Sequence, residues 1–306
     1  MKKFVIIILP CLLIVAVYMF GGSLFNDKPK TFFVLSTPGA HGPSTGVKEY
    51  PGELKVATAS AHLQNLHIRG NLYLSPENGG GLITLSNVQV DGALIIIALE
   101  DLTVGLRDVT APTLTVSRST GKVTVISQGS TQIALSHISG HTVLQEESPS
   151  ASGFTQLTLA DEAKVELLGS YTTLMVNGTN TELQLTTGII EKIQVQKGLA
   201  GNHITINQDA VVQLLELHTA AEVVGEGIIE EAVLYVPNVE LALTPNKLTA
   251  PEATIPEEDP TAMEGDQTPV IIYPFSKPTL QRGETIVVPV RTMPIEGISL
   301  LVSSKN

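Results

Sequence analysis

The stretch LQNLHIRGNLYLSPENGGGLITLSNVQVDGALIIIAL, residues Leu63–Leu99, decides the fold. It consists of short segments in which apolar and polar residues alternate, such as Leu66–Ile68 (LHI) and Leu72–Leu74 (LYL). Alternation over three or four residues is typical of a short strand with one face inward and the other outward. Gly, Asn and Asp residues separate the segments, as tight turns require. The stretch therefore predicts consecutive short strands joined by tight corners.

The same pattern continues to about residue 243. Later triplets include Leu102–Val104 (LTV), Leu183–Leu185 (LQL) and Leu215–Leu217 (LEL), with Thr, Gln or Glu often in the middle. Neighbouring triplets lie roughly 8–12 residues apart, which suits either a β-sandwich or a solenoid. Short strands, single-residue corners and a composition with no Trp and one Cys favour stacked coils of roughly 20–25 residues. We predict an all-β parallel β-helix over residues 56–248, with a projecting loop at Glu146–Gly153.

The N-terminus has the features of an export signal. Met1–Lys3 carries two lysines and precedes seventeen mostly apolar residues, Phe4–Phe20. This arrangement is typical of a cleaved signal peptide or of an uncleaved membrane anchor over residues 1–23, and either one keeps its positive end cytoplasmic. We expect the rest of the chain to be exported, beginning with an extended leader (24–55) in which Phe32–Val34 is a first strand or a cap.

The C-terminal part changes character. Residues 249–268 are rich in proline and acidic residues, which predicts an extended linker. Residues 269–306 contain three strand-like runs, Val270–Tyr273, Thr285–Val290 and Ile298–Val302. Fewer than about forty residues do not easily bury a core of their own. We predict a partial β-sandwich-like segment there.

Composition disfavours several classes of function. The net charge of −12 leaves no basic stripe to neutralise phosphates, so we expect no nucleic-acid partner. The single cysteine, Cys11, lies in the N-terminal apolar run, which rules out a disulfide framework and a thiolate metal site. Pro10 before it does not fit a lipoprotein signal, which has a small residue there. We expect no cofactor.

Two segments carry a family resemblance. Ile68–Leu74 (IRGNLYL) with Gly81–Ile96 (GLITLSNVQVDGALII), and then Val223–Pro251, resemble right-handed parallel β-helix regions of Gram-positive, clostridial and bacillus-type surface proteins. The resemblance covers about residues 55–250 and implies an exported cell-surface β-helix in a modular chain, without a known reaction. Leu280–Ser304 separately resembles the opening strands of cohesin-like or immunoglobulin-like surface modules.

Enzymatic activity has few candidate residues. β-Helices frequently carry polysaccharide lyases and hydrolases, whose sites combine several carboxylates with an Arg or Lys. The charged candidates are Arg69, Asp91, Asp101, Arg107, Asp108 and Arg118, of which Asp101, Arg107 and Asp108 would form the catalytic group of such an enzyme. The alternative is that each occupies a corner or an outward strand position. The sequence contains no catalytic serine motif, phosphate loop or HExxH zinc motif, and we predict no metal site.

Three functions remain open from the sequence. The favoured one is an exported, non-enzymatic scaffold, spacer or adhesion surface, tethered by its N-terminal segment and able to contact envelope or extracellular polysaccharides or proteins. The second is a carbohydrate-active β-helix enzyme or polysaccharide-binding protein. The third is a self-assembling polymer of β-helices joined end to end. The sequence does not determine the oligomeric state.

Overall fold

The computed structural model describes residues 31–250, apart from 78, 118–119, 149–152, 238 and 240. The chain divides into two compact units, 1–254 and 255–306, and every described residue belongs to the first. The predicted signal or anchor, nearly all of the acidic linker and the whole C-terminal segment lie outside the described residues. Within the described part of the chain, no helix is long and apolar enough to cross a membrane.

The described residues form strands and no helix. In chain order the strands are β1 (Phe32–Leu35), β2 (Gly39–His41), β3 (Lys48–Tyr50), β4 (Glu53–Val56), β5 (Ala61–Ile68), β6 (Leu72–Leu74), β7 (Gly81–Val90), β8 (Ala93–Ile96), β9 (Leu102–Val116), β10 (Val123–Gln128), β11 (Gln132–Ile138), β12 (His141–Glu146), β13 (Phe154–Leu159), β14 (Lys164–Leu168), β15 (Tyr171–Val176), β16 (Glu182–Val195), β17 (His203–Leu217), β18 (Glu222–Gly225), β19 (Ile228–Leu234) and β20 (Lys247–Thr249).

The strands stack as a parallel β-solenoid. Each strand pairs in parallel with strands one coil earlier or later, as β4, β6 and β8 do through the pairs Leu54–Leu72 and Leu72–Leu94. A coil takes about 20 residues, and the described chain makes about nine turns. The prediction of an all-β parallel solenoid is confirmed.

Each coil has three faces. The first face contains β1, β4, β6 and β8, then the C-terminal parts of β9, β11, β13, β15, β16, β17 and β19, and finally β20. The second face contains β10, β12, β14, β18 and the N-terminal parts of the longer strands. The third face contains β3, the C-terminal parts of β5 and β7, the middle of β9 and the first residues of β11, β13 and β15.

Asparagine and aspartate make the corner between the second and third faces. Asn65, Asn87 and Asp108 occupy equivalent positions in successive coils, with φ of 54°, 53° and 54°. This left-handed conformation is tolerated by Asn and Asp better than by most residues. The Asn87 amide nitrogen also donates to the Asn65 side-chain oxygen at 2.7 Å. The predicted corner at Asn87 is confirmed.

The core is a set of aliphatic ladders inside the coils. On the first face Leu54, Leu72, Leu94 and Leu114 follow one another in register, and all are fully buried. Each such side chain contributes about 1.5–3 kcal/mol on burial. Because the same inward position recurs in each coil, every coil buries its apolar row against the next.

The solenoid begins before the predicted boundary at residue 56. β1, β2, β3 and β4 lie in the segment predicted to be an extended leader, and β1 pairs in parallel with β4 from Phe32–Glu53 to Leu35–Val56. Tyr50, at the end of β3, is buried and packs edge-on against Phe33. Pro38, Pro43, Gly46, Pro51 and Gly52 lie between its short strands, which hides the periodicity. Phe32–Val34 is therefore a strand in register with the coils and not a cap across them.

Two neighbouring coils depart from the aliphatic pattern. Their inward positions include Ser127, Ser136 and Thr142, which are fully buried and whose hydroxyl oxygens have no hydrogen-bond partner among the described residues. In the same region Phe154 and Tyr171 are buried and stack with ring centroids 6.2 Å apart. Small polar side chains on two faces are thus accompanied by large aromatic side chains at the third.

Candidate interaction surfaces

The predicted catalytic residues lie at two different corners. Asp101 precedes β9 on the second face, and its Oδ1 accepts a hydrogen bond from the Lys122 backbone nitrogen at 2.8 Å. Asp108 lies about 20 Å further along the strand. The structure therefore brings Arg107 and Asp108 together as chain neighbours and leaves Asp101 at the other end of the strand.

Asp108 links its coil to the next one by hydrogen bonds. Its Oδ1 accepts hydrogen bonds from the backbone nitrogen and the hydroxyl of Ser130, both at 2.8 Å. These two bonds hold the pKa of the Asp108 carboxyl below its ordinary value. Arg107 instead donates to the Gln128 side-chain oxygen at 2.9 Å. Such contacts between adjacent coils are what a corner residue makes in a solenoid.

A second group of predicted candidates meets at the corner that follows the third face. Arg69 donates to both carboxylate oxygens of Glu49, at 3.0 and 3.2 Å, and to Asp91 at 3.3 Å. His67 contacts Asp91 at 2.8 Å. The hydrogen bond from Arg69 lowers the pKa of Glu49, and the contact with His67 is the main reason that the pKa of Asp91 is lowered. Arg118, the remaining candidate, lies outside the described residues.

A shallow groove of about 200 Å³ lies on the second face. Its floor is a row of outward residues in register on successive coils, His141, Lys164, Glu182 and His203. Lys164 and Glu182 form an ion pair of 2.6 Å, and His203 contacts Glu222 of the next coil at 3.0 Å. The hydrogen bond from Lys164 is the main cause that lowers the pKa of Glu182. The groove thus lines up an imidazole, an ammonium, a carboxylate and a second imidazole along the solenoid axis.

The groove was not predicted from the sequence. Its residues directly precede the first inward residue of their strands, as Lys164 precedes Val165 and Glu182 precedes Leu183. Because the coils differ in length, a fixed sequence spacing does not reveal this row. His141 belongs to the groove on the second face, whereas His137, four residues earlier, lies on the first face.

The outward side of the first face changes in polarity from one end to the other. One row of register partners starts with Val34, Lys55, Tyr73 and Ile95. It continues through Thr115, His137, Thr158 and Met175 and ends with Gln194, Glu216, Val233 and Thr249. Apolar side chains thus predominate in the first coils and polar ones beyond them.

Near the far end of this face, polar and aromatic side chains form a compact cluster. Lys192 and Glu216 form an ion pair of 2.9 Å, and His218 lies 3.8 Å from Glu216. The His218 ring stacks on the Tyr235 ring, with centroids 4.0 Å apart and an interplanar angle of 6°. All four residues come from adjacent coils, so the cluster joins these coils.

Among the described residues, no group of three or more His, Cys, Asp or Glu side chains is arranged to hold a metal ion. No protein family, curated protein or solved structure matches this chain. The resemblance to Gram-positive surface β-helices and to cohesin-like modules gains no support from these comparisons. The fold assignment rests on the parallel strand pairing.

Proposed function

We propose that this chain is an exported, non-enzymatic scaffold, a right-handed parallel β-helix that spaces or presents other parts of the cell surface. The observation that carries the proposal is the parallel ladder that links β1 to β20 coil by coil. Stacking of this kind gives a quasi-one-dimensional body whose length is set by the number of coils. We propose that the N-terminal segment tethers it.

The use of charged side chains supports a structural role. Most ion pairs on the described surface connect adjacent coils, as Lys55–Glu77, Lys164–Glu182 and Lys192–Glu216 do. Asp101 and Asp108 accept bonds from backbone nitrogens of the following coil. A catalytic pair of carboxylates would instead face a common cleft about 5–10 Å apart. The surface charges therefore act chiefly between coils.

Removal of one coil tests the spacer. Deletion of Leu72–Ala93 joins Asn71 to Leu94, which is the register partner of Leu72. We expect a folded all-β protein shortened by about 4.8 Å, the spacing between strands, as measured by small-angle X-ray scattering and circular dichroism. Deletion of Leu72–Leu82, about half a coil, is the control, because it breaks the register. If the one-coil deletion unfolds as readily as the control, the proposal that the solenoid is a modular spacer is wrong.

Three further measurements separate the spacer from its alternatives. Protease treatment of intact Gram-positive cells that express the full chain should remove the solenoid, whereas protection inside the cells would contradict export. Incubation with pectin-like polysaccharides should release no unsaturated sugars, and turnover would establish the enzyme instead. Light scattering that shows mass growing with concentration would favour the end-to-end polymer.

Polysaccharide binding in the second-face groove is the second candidate function. The observation that favours it is the row of polar groups along several coils, with His141, Lys164, Glu182 and His203 available to hydroxyl and carboxylate groups of a linear sugar. Binding to an acidic polysaccharide should weaken in Lys164→Gln. Lys247→Gln, which also breaks a surface ion pair with a glutamate, is the matched control. Equal binding by both variants would exclude the groove.

A further inference from the structure

An apolar stripe crosses the first coils on the first face. Phe32 and Val34 of β1 are 51% and 54% exposed, which is unusual for such side chains on a short strand. The Phe32 ring contacts the Tyr73 ring with centroids 5.9 Å apart, although β4 lies between their strands. Ile95 is the next register partner of Tyr73. These four side chains form one continuous surface, which we name the apolar stripe.

The apolar stripe is confined to one end of the face. The outward positions that follow Ile95 are Thr115, His137 and Thr158, all polar. The rest of the face is mostly polar, with isolated exceptions such as Leu135, Met175 and Val233. A group of neighbouring apolar side chains at one end marks an interaction site with an apolar partner. Lys55, the register partner of both Val34 and Tyr73, forms an ion pair with Glu77 at 2.7 Å. Glu53, the register partner of Phe32, also faces outward and accepts a hydrogen bond from Asn71 at 3.5 Å, so both charged side chains within the stripe have partners.

The stripe lies where the chain arrives from its apolar N-terminal segment. Only the eleven residues Gly21–Thr31 separate Phe20 from Phe32. They span at most about 36–40 Å when fully extended, and about 18 Å on average as a flexible chain. If Phe4–Phe20 crosses a bilayer, the first coil is held close to the lipid surface, and the local concentration of lipid there is high.

We propose that the apolar stripe docks on the lipid surface, so that the first coils rest on the membrane through their first face. The inference rests on the proposed uncleaved N-terminal anchor and adds a second contact to it. Aromatic rings with a polar edge are favoured at the boundary between headgroups and acyl chains, and Tyr73 has this character. A segment tethered by one apolar anchor gains stable orientation from a second membrane contact.

A single introduced tryptophan tests the contact. The chain has no Trp, so Phe32→Trp places the only indole in the stripe at an exposed position that accepts a larger ring. The full chain is reconstituted in phosphatidylcholine vesicles with brominated acyl chains. We expect Trp emission to fall by roughly half or more relative to unbrominated vesicles, because a side chain at the headgroup–acyl boundary lies near the bromines. Leu82→Trp, which is also 51% exposed but lies on the second face of the coil that carries Ile95, should not be quenched.

Each outcome decides the proposal. Quenching restricted to Phe32→Trp supports it. If Phe32→Trp is not quenched although the chain sediments with the vesicles, the docking proposal is wrong. The proposed N-terminal anchor is then still supported. Equal quenching of both variants overturns the docking proposal, because the contact with lipid would then not be specific to the first face. Failure of the full chain to sediment with vesicles overturns the anchor and the docking together. As a second readout, Phe32→Ser with Val34→Ser should restore protease access at the first coil on vesicles without changing circular dichroism.

Discussion

The coils from Leu63 to Val116 and the coils from Val123 to Tyr171 fill the same interior with different residues. In the first set, every buried strand residue on the three faces is Leu, Ile, Val or Ala. In the second set, small hydroxyl residues take aliphatic positions, and two stacked aromatic rings occupy the third face. Because interiors must reach crystal-like density, a loss of volume on one face requires a gain on another.

The register shows how local this exchange is. Ser136 lies between Leu114 and Leu157, and Thr142 lies between Val123 and Val165. Tyr171 is buried, and its hydroxyl donates to the Leu144 carbonyl at 2.7 Å; burial raises its pKa. The ladder of aliphatic residues therefore resumes one coil on either side. A solenoid therefore tolerates an irregular core when the backbone hydrogen-bond ladder keeps its register.

The largest expected effect concerns the regular coils. Leu85→Ala removes a side chain that is 1% exposed and is expected to cost about 2–5 kcal/mol of the free energy of unfolding. Leu82→Ala on the same strand, where the side chain is 51% exposed, should stay within about 0.5 kcal/mol. Urea unfolding followed by circular dichroism measures both. Equal losses would show that the regular interior is not the stable part of the core.

A second prediction tests the packing of the irregular coils at Gly153. A Cβ atom there would lie 2.1 Å from the Ser127 hydroxyl oxygen and 2.5 Å from the Glu146 carboxylate. Gly153→Ala should therefore cost roughly 1–3 kcal/mol through overpacking. Ser127→Ala removes the nearer atom, so the double variant should recover part of that loss. A double-mutant cycle on urea midpoints measures the coupling, and strict additivity would contradict this contact.

Buried hydroxyls provide a third and smaller test. Thr142→Val exchanges a hydroxyl without a partner for a methyl of similar size, so we expect a gain of about 1 kcal/mol. Thr131→Val is the matched control, because that buried hydroxyl bonds the Val109 nitrogen and the carbonyls of Leu106 and Gln128. The control should lose roughly 1–3 kcal/mol. Thermal unfolding of the two variants should shift in opposite directions.

The smallest expected effect is a pH dependence at the corner of the regular coils. The pKa of Asp108 is lowered by bonds from Ser130 from an ordinary value of 3.8. Its ionised form therefore stabilises the fold above that value, and this contribution is lost as the pH falls through the lowered pKa. Asp108→Asn keeps a residue suited to positive φ but removes the charge. Urea midpoints should differ between variant and parent at pH 7 and converge near pH 2; a constant difference would contradict the assignment.

The sequence predicts the parts of the fold that repeat. Triplets such as Leu72–Leu74 predict strands, and Asn87 predicts a corner. Both predictions succeed because the alternation of apolar and polar residues and the tolerance of positive φ are local properties of the sequence. The start of the solenoid at Phe32 is missed because Pro and Gly in the intervening turns conceal the short strands there. The second-face groove is missed because it depends on which residues become register partners, and coils of unequal length hide that. Asp101 and Asp108 lie close together in the sequence, but Asp101 precedes β9 and Asp108 lies at the corner in the middle of β9, so the second-face part of the strand separates them.

The parallel ladder also bears on how the chain folds. Each residue in a coil contacts partners about 20 residues away, however long the solenoid becomes. Closing that loop costs little more for the last coil than for the first. A chain that emerges N-terminus first can therefore add one coil at a time on the coil already formed, starting from β1. The growing end always presents an unpaired strand edge that only the next segment of the same chain is positioned to meet, which favours ordered growth over pairing with another molecule.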